Sequence, residues 1–324
     1  MTPALDVSEV GDGAEVARAA GERAPRRGLL VTLTAADGLS GEGEASPLAG
    51  YSDETIDSLR LELRQGAPRS GLARFALESA LVDLVGKRRS ASAAAVLGGA
   101  TAQRTIETSA VIVDDDPRAA AARAIATGAR TLKCKVGRDP VHDAETLVAL
   151  RRMVGPDVAL RADANGRFGV DAARAVLAAV APAALSFVEE PTAAEGLFAL
   201  GGSPVPIAID ESLLLPGFEA RALAASEISV FVVKPAKLGL FHARELALSA
   251  HRAKKQVVVT HMFDGPWALA AAASLALSLP FAPLACGLAP HDGLDAYPRR
   301  TIATMGPRWT LVASSRPGLG VGVA

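Results

Sequence analysis

The sequence predicts an α/β protein in which a closed (β/α) barrel follows a smaller α+β subdomain. Three observations carry this prediction. From Thr105 onward, short apolar runs alternate with helical stretches, giving eight strands and seven intervening helices. The strands are apolar on both faces, as a parallel sheet covered by helices requires. Five ionisable residues close successive runs: Lys135 in TLKCK, Asp163 in ALRAD, Glu189 in LSFVE, Asp210 in PIAID and Lys234 in ISVFVVK. Their separations of 28, 26, 21 and 24 residues each match one strand, one helix and two loops, so the chain returns repeatedly to one rim.

Residues 1–88 are expected to form the α+β subdomain. LLVTLTAADGLSGEGEAS alternates around an Asp37-Gly38 turn, as an antiparallel hairpin does. Helices are expected from Ser52 to about Gln65 and from Ser70 to Gly86, the second presenting Leu72, Phe75, Ala76, Ser79, Leu81 and Val82 on a broadly apolar side. The barrel is assigned to residues 105–298, with strands at 105–113, 130–136, 158–164, 185–190, 206–211, 227–234, 256–261 and near 285–288. Its helices begin near Pro117, Pro140, Val170, Ala193 and Gly217, and two more span 239–255 and 266–279. The tail 300–324 has little periodicity and is expected to join the N-terminal subdomain.

Composition narrows the function classes. Half of the 324 residues are hydrophobic, enough for a large core, and 34 basic against 35 acidic side chains leave a formal charge of −1. That balance gives no basic surface for nucleic acid or anionic membrane, so a small molecule is the expected partner. The start of the chain lacks a basic segment followed by an apolar one, so no secretory signal is expected. Trp267 to Ala289, the longest apolar stretch, is interrupted by Ser274, Ser278, Pro280 and Pro283 and reads as a core helix. Two isolated cysteines, Cys134 and Cys286, make neither a disulfide framework nor a zinc spacing, and a reducing cytoplasm is expected.

The rim residues define the chemistry. Charge at the end of a buried strand costs several kcal/mol unless it is paired or bound to an ion. Asp163, Glu189 and Asp210 supply three hard oxygen ligands from adjacent strands and leave positions open for water or substrate, which suits Mg²⁺ rather than zinc. Lys133 and Lys135 lie two apart on one strand, so both face inward while Cys134 faces the helices. Two partly desolvated ammonium groups so close are expected to depress each other's pKa and make an amine available as a base. Arg161, Asp163 and Asn165 share the inward face; Glu190 and Glu211 are expected to support the ligands or pair with basic groups. Lys234 is expected across the barrel from Lys135, and Lys237 is expected to be solvated. His261, in THMFDG at a strand end, is either a pocket residue or simply hydrogen-bonded.

The ordered set Lys-x-Lys, Asp-x-Asn, Glu-Glu-Pro, Asp-Glu-Ser and Lys-Pro on successive strands resembles the enolase superfamily in its muconate-lactonizing branch. The resemblance covers nearly the whole chain and implies a modified (β/α)8 TIM barrel behind an α+β capping domain. It also implies a first step in which the proton α to a carboxylate is removed, with Mg²⁺ (or Mn²⁺ in substitution) stabilising the enediolate. Carried over, it makes Asp163, Glu189 and Asp210 the metal ligands and Lys135 and Lys234 the acid/base pair, with Lys133 assisting.

Within the superfamily, GEGEASPLAGYSDET at 41–55 and GLDAY at 293–297 are similar to o-succinylbenzoate synthases, the dehydratases of menaquinone biosynthesis. Two features depart from related patterns. THMFDG replaces the serine-rich segment expected in many synthases. Asp292 and Asp295 are spaced Asp-x-x-Asp, unlike the Asp-x-Asp of dipeptide epimerases. N-acylamino acid racemisation and dipeptide epimerisation remain the alternatives to dehydration.

Overall fold

The structure is a computed structural model, and it describes residues 3–13, 15–17, 23–99, 105–113, 116–298, 300–307 and 309–323. The chain divides into two compact units. The first comprises Met1–Glu107, Lys234–Glu245 and Val259–Ala324; the second comprises Thr108–Val233 and Leu246–Val258.

The first unit begins with β1 (Ala4–Val10), the short pair β2 (Glu15–Ala17) and β3 (Arg23–Pro25), then β4 (Gly28–Thr34) and β5 (Ser40–Ala45). β1, β4 and β5 form an antiparallel sheet in that order. The β4–β5 hairpin turns at Asp37-Gly38, where Gly38 takes φ +85°, open to glycine at little cost. Helices α1 (Ile56–Arg64), α2 (Gly71–Arg88) and α3 (Ala93–Gly98) follow, capped by Thr55, Ser70 and Ser92.

The alternating glycines of GEGE have a packing cause. A Cβ at Gly41 would stand 2.2 Å from the Ala80 carbonyl oxygen, and one at Gly43 would stand 2.0 Å from that of Ala76. Only a bare backbone lets β5 lie this close on α2. The acidic residues between the glycines then point to the other face of the strand.

The expected strand 105–113 is two elements. β6 (Thr105–Glu107) pairs antiparallel with the C-terminal tail, while β7 (Ala110–Ile112) opens the parallel sheet. The second unit then alternates α4 (Pro117–Ala126), β8 (Thr131–Lys135), α5 (Pro140–Val154), β9 (Ala159–Asp163), α6 (Val170–Ala179), β10 (Phe187–Glu189), β11 (Ile207–Ile209), α7 (Phe218–Ala224) and β12 (Ile228–Val233). Asp116 and Asp139 cap α4 and α5, each with proline in the first turn. The segment expected as a helix near Ala193 is a 3-10 turn, Ala194–Ala199. α8 (Pro235–Leu238), α9 (Leu240–Arg252) and β13 (Gln256–Val259) complete a curled sheet of seven strands in sequential order from β7 to β13.

An eighth strand at 285–288 does not form. Cys286 donates its N–H to the Glu107 carbonyl (2.8 Å), and Gly287 donates to that of Val259 (2.9 Å), leaving a bridge one residue long between Thr260 and Gly287. Gly287 leaves room there for the Thr260 side chain, whose hydroxyl a Cβ would crowd. The prolines at 280, 283 and 290 limit how far pairing can run on either side. The fully buried α10 (Pro266–Leu277) follows β13, and β14 (Arg300–Ile302), β15 (Thr310–Val312) and β16 (Val321–Val323) end the chain. β15 is the partner of β6, and β14 pairs with β16. Among the described residues no helix is long and apolar enough to cross a membrane.

Candidate active site

The register of the second unit stacks the chemistry in layers. Lys133 on β8, Arg161 on β9 and Phe187 on β10 are partners in one layer, and Lys135, Asp163 and Glu189 are partners in the next. Glu189 is level with Ala208 on β11, and Asp210 lies two residues further along. Parallel pairing without slippage therefore delivers side chains from three adjacent strands to one level. Arg161, 3% exposed, lies over the Phe187 ring with its guanidinium carbon 4.8 Å from the centroid, a buried cation-π contact beneath the carboxylates.

Asp163, Glu189 and Asp210 are all buried. The Lys133 ammonium stands among them, 2.7 and 2.9 Å from the two Glu189 oxygens and 2.8 Å from Asp163 Oδ2. Its three donors thus meet three carboxylate oxygens. Lys135 donates to Asp163 Oδ2 (2.6 Å) and Asn165 Oδ1 (2.9 Å), which engages two of its three donors. Asn165, at φ +46°, also donates from its backbone N–H to Asp163 Oδ1 (3.0 Å) and from Nδ2 to Glu211 Oε1 (3.0 Å). The amide orientation is fixed by its neighbours: oxygen toward the ammonium, NH₂ toward the carboxylate.

These contacts overturn the expected depression at Lys133. Burial works to lower the Lys133 pKa, but the charges of Asp163, Glu189 and Asp210 outweigh it and hold the ammonium above the ordinary lysine range. Burial likewise works to raise Asp163, and the Lys133 and Lys135 ammonium groups outweigh it, holding Asp163 well below the usual carboxylate range. Glu189 moves the other way, pushed up by burial and by the adjacent Asp163 charge. Carboxylates dominate over the neighbouring lysine because they are in direct contact with Lys133.

The donor set fits a hard divalent cation: three buried carboxylates from consecutive strands, with Cys134 buried and alternating in position with the two lysines. In this arrangement, however, Lys133 supplies the counter-charge, and among the described residues no three acidic, histidine or cysteine side chains stand grouped as a ready-made cation cage.

Glu190, immediately after the proposed ligand Glu189, accepts hydrogen bonds from the Asp210 N–H (2.8 Å), the Ser212 N–H (3.1 Å) and the Ser212 hydroxyl. Burial pushes its carboxyl up to about 7, against the lowering effect of these donors. Ser212 closes the Asp-Glu-Ser motif that the sequence already marks, although the motif alone assigns the serine no role.

In the first unit, Lys234 directly follows β12 and precedes Pro235 of α8, with its ammonium 5.8 Å from the centroid of the Tyr51 ring. Lys237 is half-buried and donates to the Tyr51 carbonyl (2.9 Å), so it is not simply solvated as the sequence led us to expect. His261 has both ring nitrogens engaged: Nδ1 accepts from the Phe263 N–H (2.9 Å) and Nε2 lies 3.2 Å from the Ala289 carbonyl. Both ring nitrogens thus join His261 to the backbone of its own loop and of the chain near Ala289.

The segments GEGEAS and GLDAY meet within this unit. Glu44 accepts from the backbone N–H groups of Gly265 (2.9 Å) and Trp267 (3.2 Å) at the start of α10, and burial pushes its carboxyl above the usual range against the lowering effect of its donors. Ser46 hydrogen-bonds both Glu44 and the Tyr297 hydroxyl, the latter at 2.9 Å.

A family model described as enolase C-terminal domain-like matches residues 116–324. The chain is 30% identical over 283 residues to an L-Lys-D/L-Arg epimerase of Methylococcus capsulatus, spanning 78% of this chain and 79% of that protein. It is 36% identical over 194 residues to an o-succinylbenzoate synthase of Mycobacterium tuberculosis, spanning 54% of this chain and 58% of the other. Among solved structures, a dipeptide epimerase from Methylococcus capsulatus complexed with Mg and L-Arg-D-Lys aligns over 99% of each chain with TM-score 0.84 and 28% identity. Layered strand-end carboxylates and lysines, a seven-stranded curled sheet and a family match over more than half the sequence agree, and the chain belongs to the enolase C-terminal domain-like family as an enzyme of the enolase superfamily.

Proposed function

We propose that this enzyme is a carbon-oxygen lyase that removes the proton α to a carboxylate and eliminates water: an o-succinylbenzoate synthase of menaquinone biosynthesis, acting in the cytoplasm. The observation that carries the reading is the division of labour between the two lysines of β8. Lys133 commits its donors to Glu189 and Asp163, whereas Lys135 keeps one direction for substrate. Lys135, as the neutral amine, takes the α-proton of a cyclohexadiene carboxylate. The electron pair left behind expels the β-hydroxyl, which departs as water with the proton that Lys135 returns, and the ring becomes aromatic.

Mg²⁺, with Mn²⁺ as a substitute, would be held by Asp163, Glu189 and Asp210, and when bound it supplies positive charge that stabilises the developing dianion. Lys133 remains an ammonium throughout and adds to that stabilisation, and we assign the same electrostatic role to Lys234. The substrate is a small carboxylate; neither nucleic acid nor membrane is a partner in this reading.

Two findings favour the synthase. Identity to the Mycobacterium tuberculosis synthase reaches 36% over its aligned region. The two segments similar to synthases are also joined by the Ser46–Tyr297 hydrogen bond. Epimerisation of a dipeptide or N-acylamino acid is the second reading, favoured by the wider coverage of the Methylococcus capsulatus epimerase. Against it, Asp292 and Asp295 are both exposed on a 3-10 turn, with the wrong spacing for an ammonium-binding pair.

The test is to offer the purified enzyme and Mg²⁺ the cyclohexadiene substrate beside a panel of N-succinylamino acids and dipeptides. Aromatic product should form faster than any panel member epimerises, and the reverse order overturns the choice of reaction.

A further inference from the structure

Glu190 adopts φ +42°, a left-handed conformation that a side-chain-bearing residue rarely takes, and it is 1% exposed. Such strain persists only where the surrounding structure over-determines it, and here every polar group of the residue is committed. Its backbone N–H donates to the Ala208 carbonyl (2.9 Å) on β11, and its carbonyl accepts from the Gly166 N–H (2.7 Å) in the turn after β9. Its carboxylate reaches forward to the turn after β11, with Oε2 on the Asp210 N–H and Oε1 on the N–H and hydroxyl of Ser212. Ser212 Oγ is itself fixed by the Ala194 N–H (2.9 Å). One residue therefore ties together the turns that follow β9, β10 and β11, the strands that carry Asp163, Glu189 and Asp210.

Asp210 depends most on this tie. It lies one residue past the end of β11 and has φ −132° and ψ −89°, outside both helix and strand geometry. Its N–H points to the Glu190 carboxylate instead of a neighbouring strand, so that bond fixes the direction in which the Asp210 side chain leaves the backbone. A glycine at 190 would relieve the strain but could not reach the turn at 210–212.

We infer that Glu190 is a positioning residue for the cation site: its carboxylate, gripping the Asp210–Ser212 turn, sets the place of the third carboxylate ligand. This rests on the reading of Asp163, Glu189 and Asp210 as ligands of a divalent cation. Supporting groups of this kind weaken metal affinity by about 10- to 100-fold when removed. Glutamine at 190 keeps its oxygen for the Asp210 N–H and turns its NH₂ to the Ser212 hydroxyl, giving up the bond from the Ser212 N–H but preserving the one that sets Asp210.

The test is calorimetric titration of the folded, metal-stripped proteins with Mg²⁺ alone, run beside their thermal unfolding without metal. Glu190→Ala should bind Mg²⁺ about 10- to 100-fold more weakly than the wild type, and Glu190→Gln should recover most of that loss. A residue that only stabilises the fold would instead lower the metal-free Tm in Glu190→Ala and leave the Mg²⁺ affinity of the folded protein unchanged, which overturns the inference. If Glu190→Ala does not fold, Glu190→Asp decides, because its shorter side chain keeps the charge but cannot reach both N–H groups; unaltered affinity in that variant overturns the inference equally. A wild type that takes up no Mg²⁺ defeats the ligand reading and the inference with it. A wild type that binds normally beside unaffected variants defeats the positioning role alone.

Discussion

Removing the Lys133 ammonium tests whether it holds the carboxylates together. In Lys133→Met the apolar stem is retained, and the contacts at 2.7, 2.8 and 2.9 Å to Glu189 and Asp163 are lost. Deleting one partner of a buried ion pair costs about 3–5 kcal/mol, because the remaining charges stay buried without compensation. Unfolding entropy of about 2.1 cal/mol/K per residue over 324 residues is about 0.7 kcal/mol/K, so the expected fall in Tm is about 4–7 °C. The pH dependence has a definite sign. The Lys133 pKa is raised, so its contribution is complete at and below neutral pH and is lost only far into base. The Asp163 pKa is depressed, so its contribution is complete above the ordinary carboxylate range, begins to fall below about pH 4 and is lost only as pH drops through its depressed folded value. With the ammonium gone, Asp163 and Glu189 lose the charge that favours their ionised forms, so the gap should be widest at and above neutral pH and shrink toward acid, where protonation relieves the variant. Adding Mg²⁺ should restore part of the lost Tm, since a cation that binds only the folded state stabilises it. Scanning calorimetry of metal-stripped protein reads all three effects. A variant within 1 °C of wild type at pH 7, by the same conversion less than about 1 kcal/mol, would refute the reasoning.

Other outcomes follow from the same structure. Asp264 is fully buried, and burial pushes its carboxyl up to about 6. A raised acid stabilises below its unfolded pKa and loses that contribution as pH rises, so Asp264→Asn should gain about 2–3 kcal/mol relative to wild type between pH 4 and pH 8; denaturant curves showing no pH-dependent gain would contradict this. Gly43→Ala places a methyl 2.0 Å from the Ala76 carbonyl oxygen and should cost about 1–3 kcal/mol or more, whereas an unchanged denaturation midpoint would mean that β5 and α2 do not approach so closely. Turnover should vanish in excess chelator and return with Mg²⁺ or Mn²⁺, and full turnover by protein shown to be metal-free would remove the cation from the reaction.

The strand ends were legible in the sequence because a parallel βα repeat returns each apolar run to the same level. Lys135, Asp163, Glu189 and Asp210 could thus be placed in order from spacing alone, and the register of β8, β9 and β10 agrees for the first three. The state of Lys133 was not legible. Sequence shows that it lies two residues from Lys135, but the sign of its shift depends on how far the carboxylates of neighbouring strands reach, and three oxygens within 2.9 Å decide it. LACGL reads as a strand by composition, yet the chain around it allows only one bridging residue at Gly287. Segment 105–113 also reads as continuous, because nothing in its composition reveals that Thr105–Glu107 pairs with residues 310–312, two hundred positions away. GEGE reads as part of an alternating hairpin, as β5 is, but nothing local reveals that its glycines serve the contact with α2 or that Glu44 accepts from the N–H groups at the start of α10. A clue was present in Gly265-Pro266, a helix start without a side-chain cap of its own.

The measurement closest to the central claim is exchange of the substrate's α-hydrogen with solvent deuterium, followed by NMR in Lys135→Ala and Lys234→Ala with Mg²⁺ present and the fold checked by circular dichroism. If Lys135 is the base of a dehydratase, Lys135→Ala should lose both aromatic product and exchange, while Lys234→Ala turns over more slowly but still exchanges. Exchange at the wild-type rate in Lys135→Ala, or loss of exchange confined to Lys234→Ala, would contradict the assignment of the base to the end of β8.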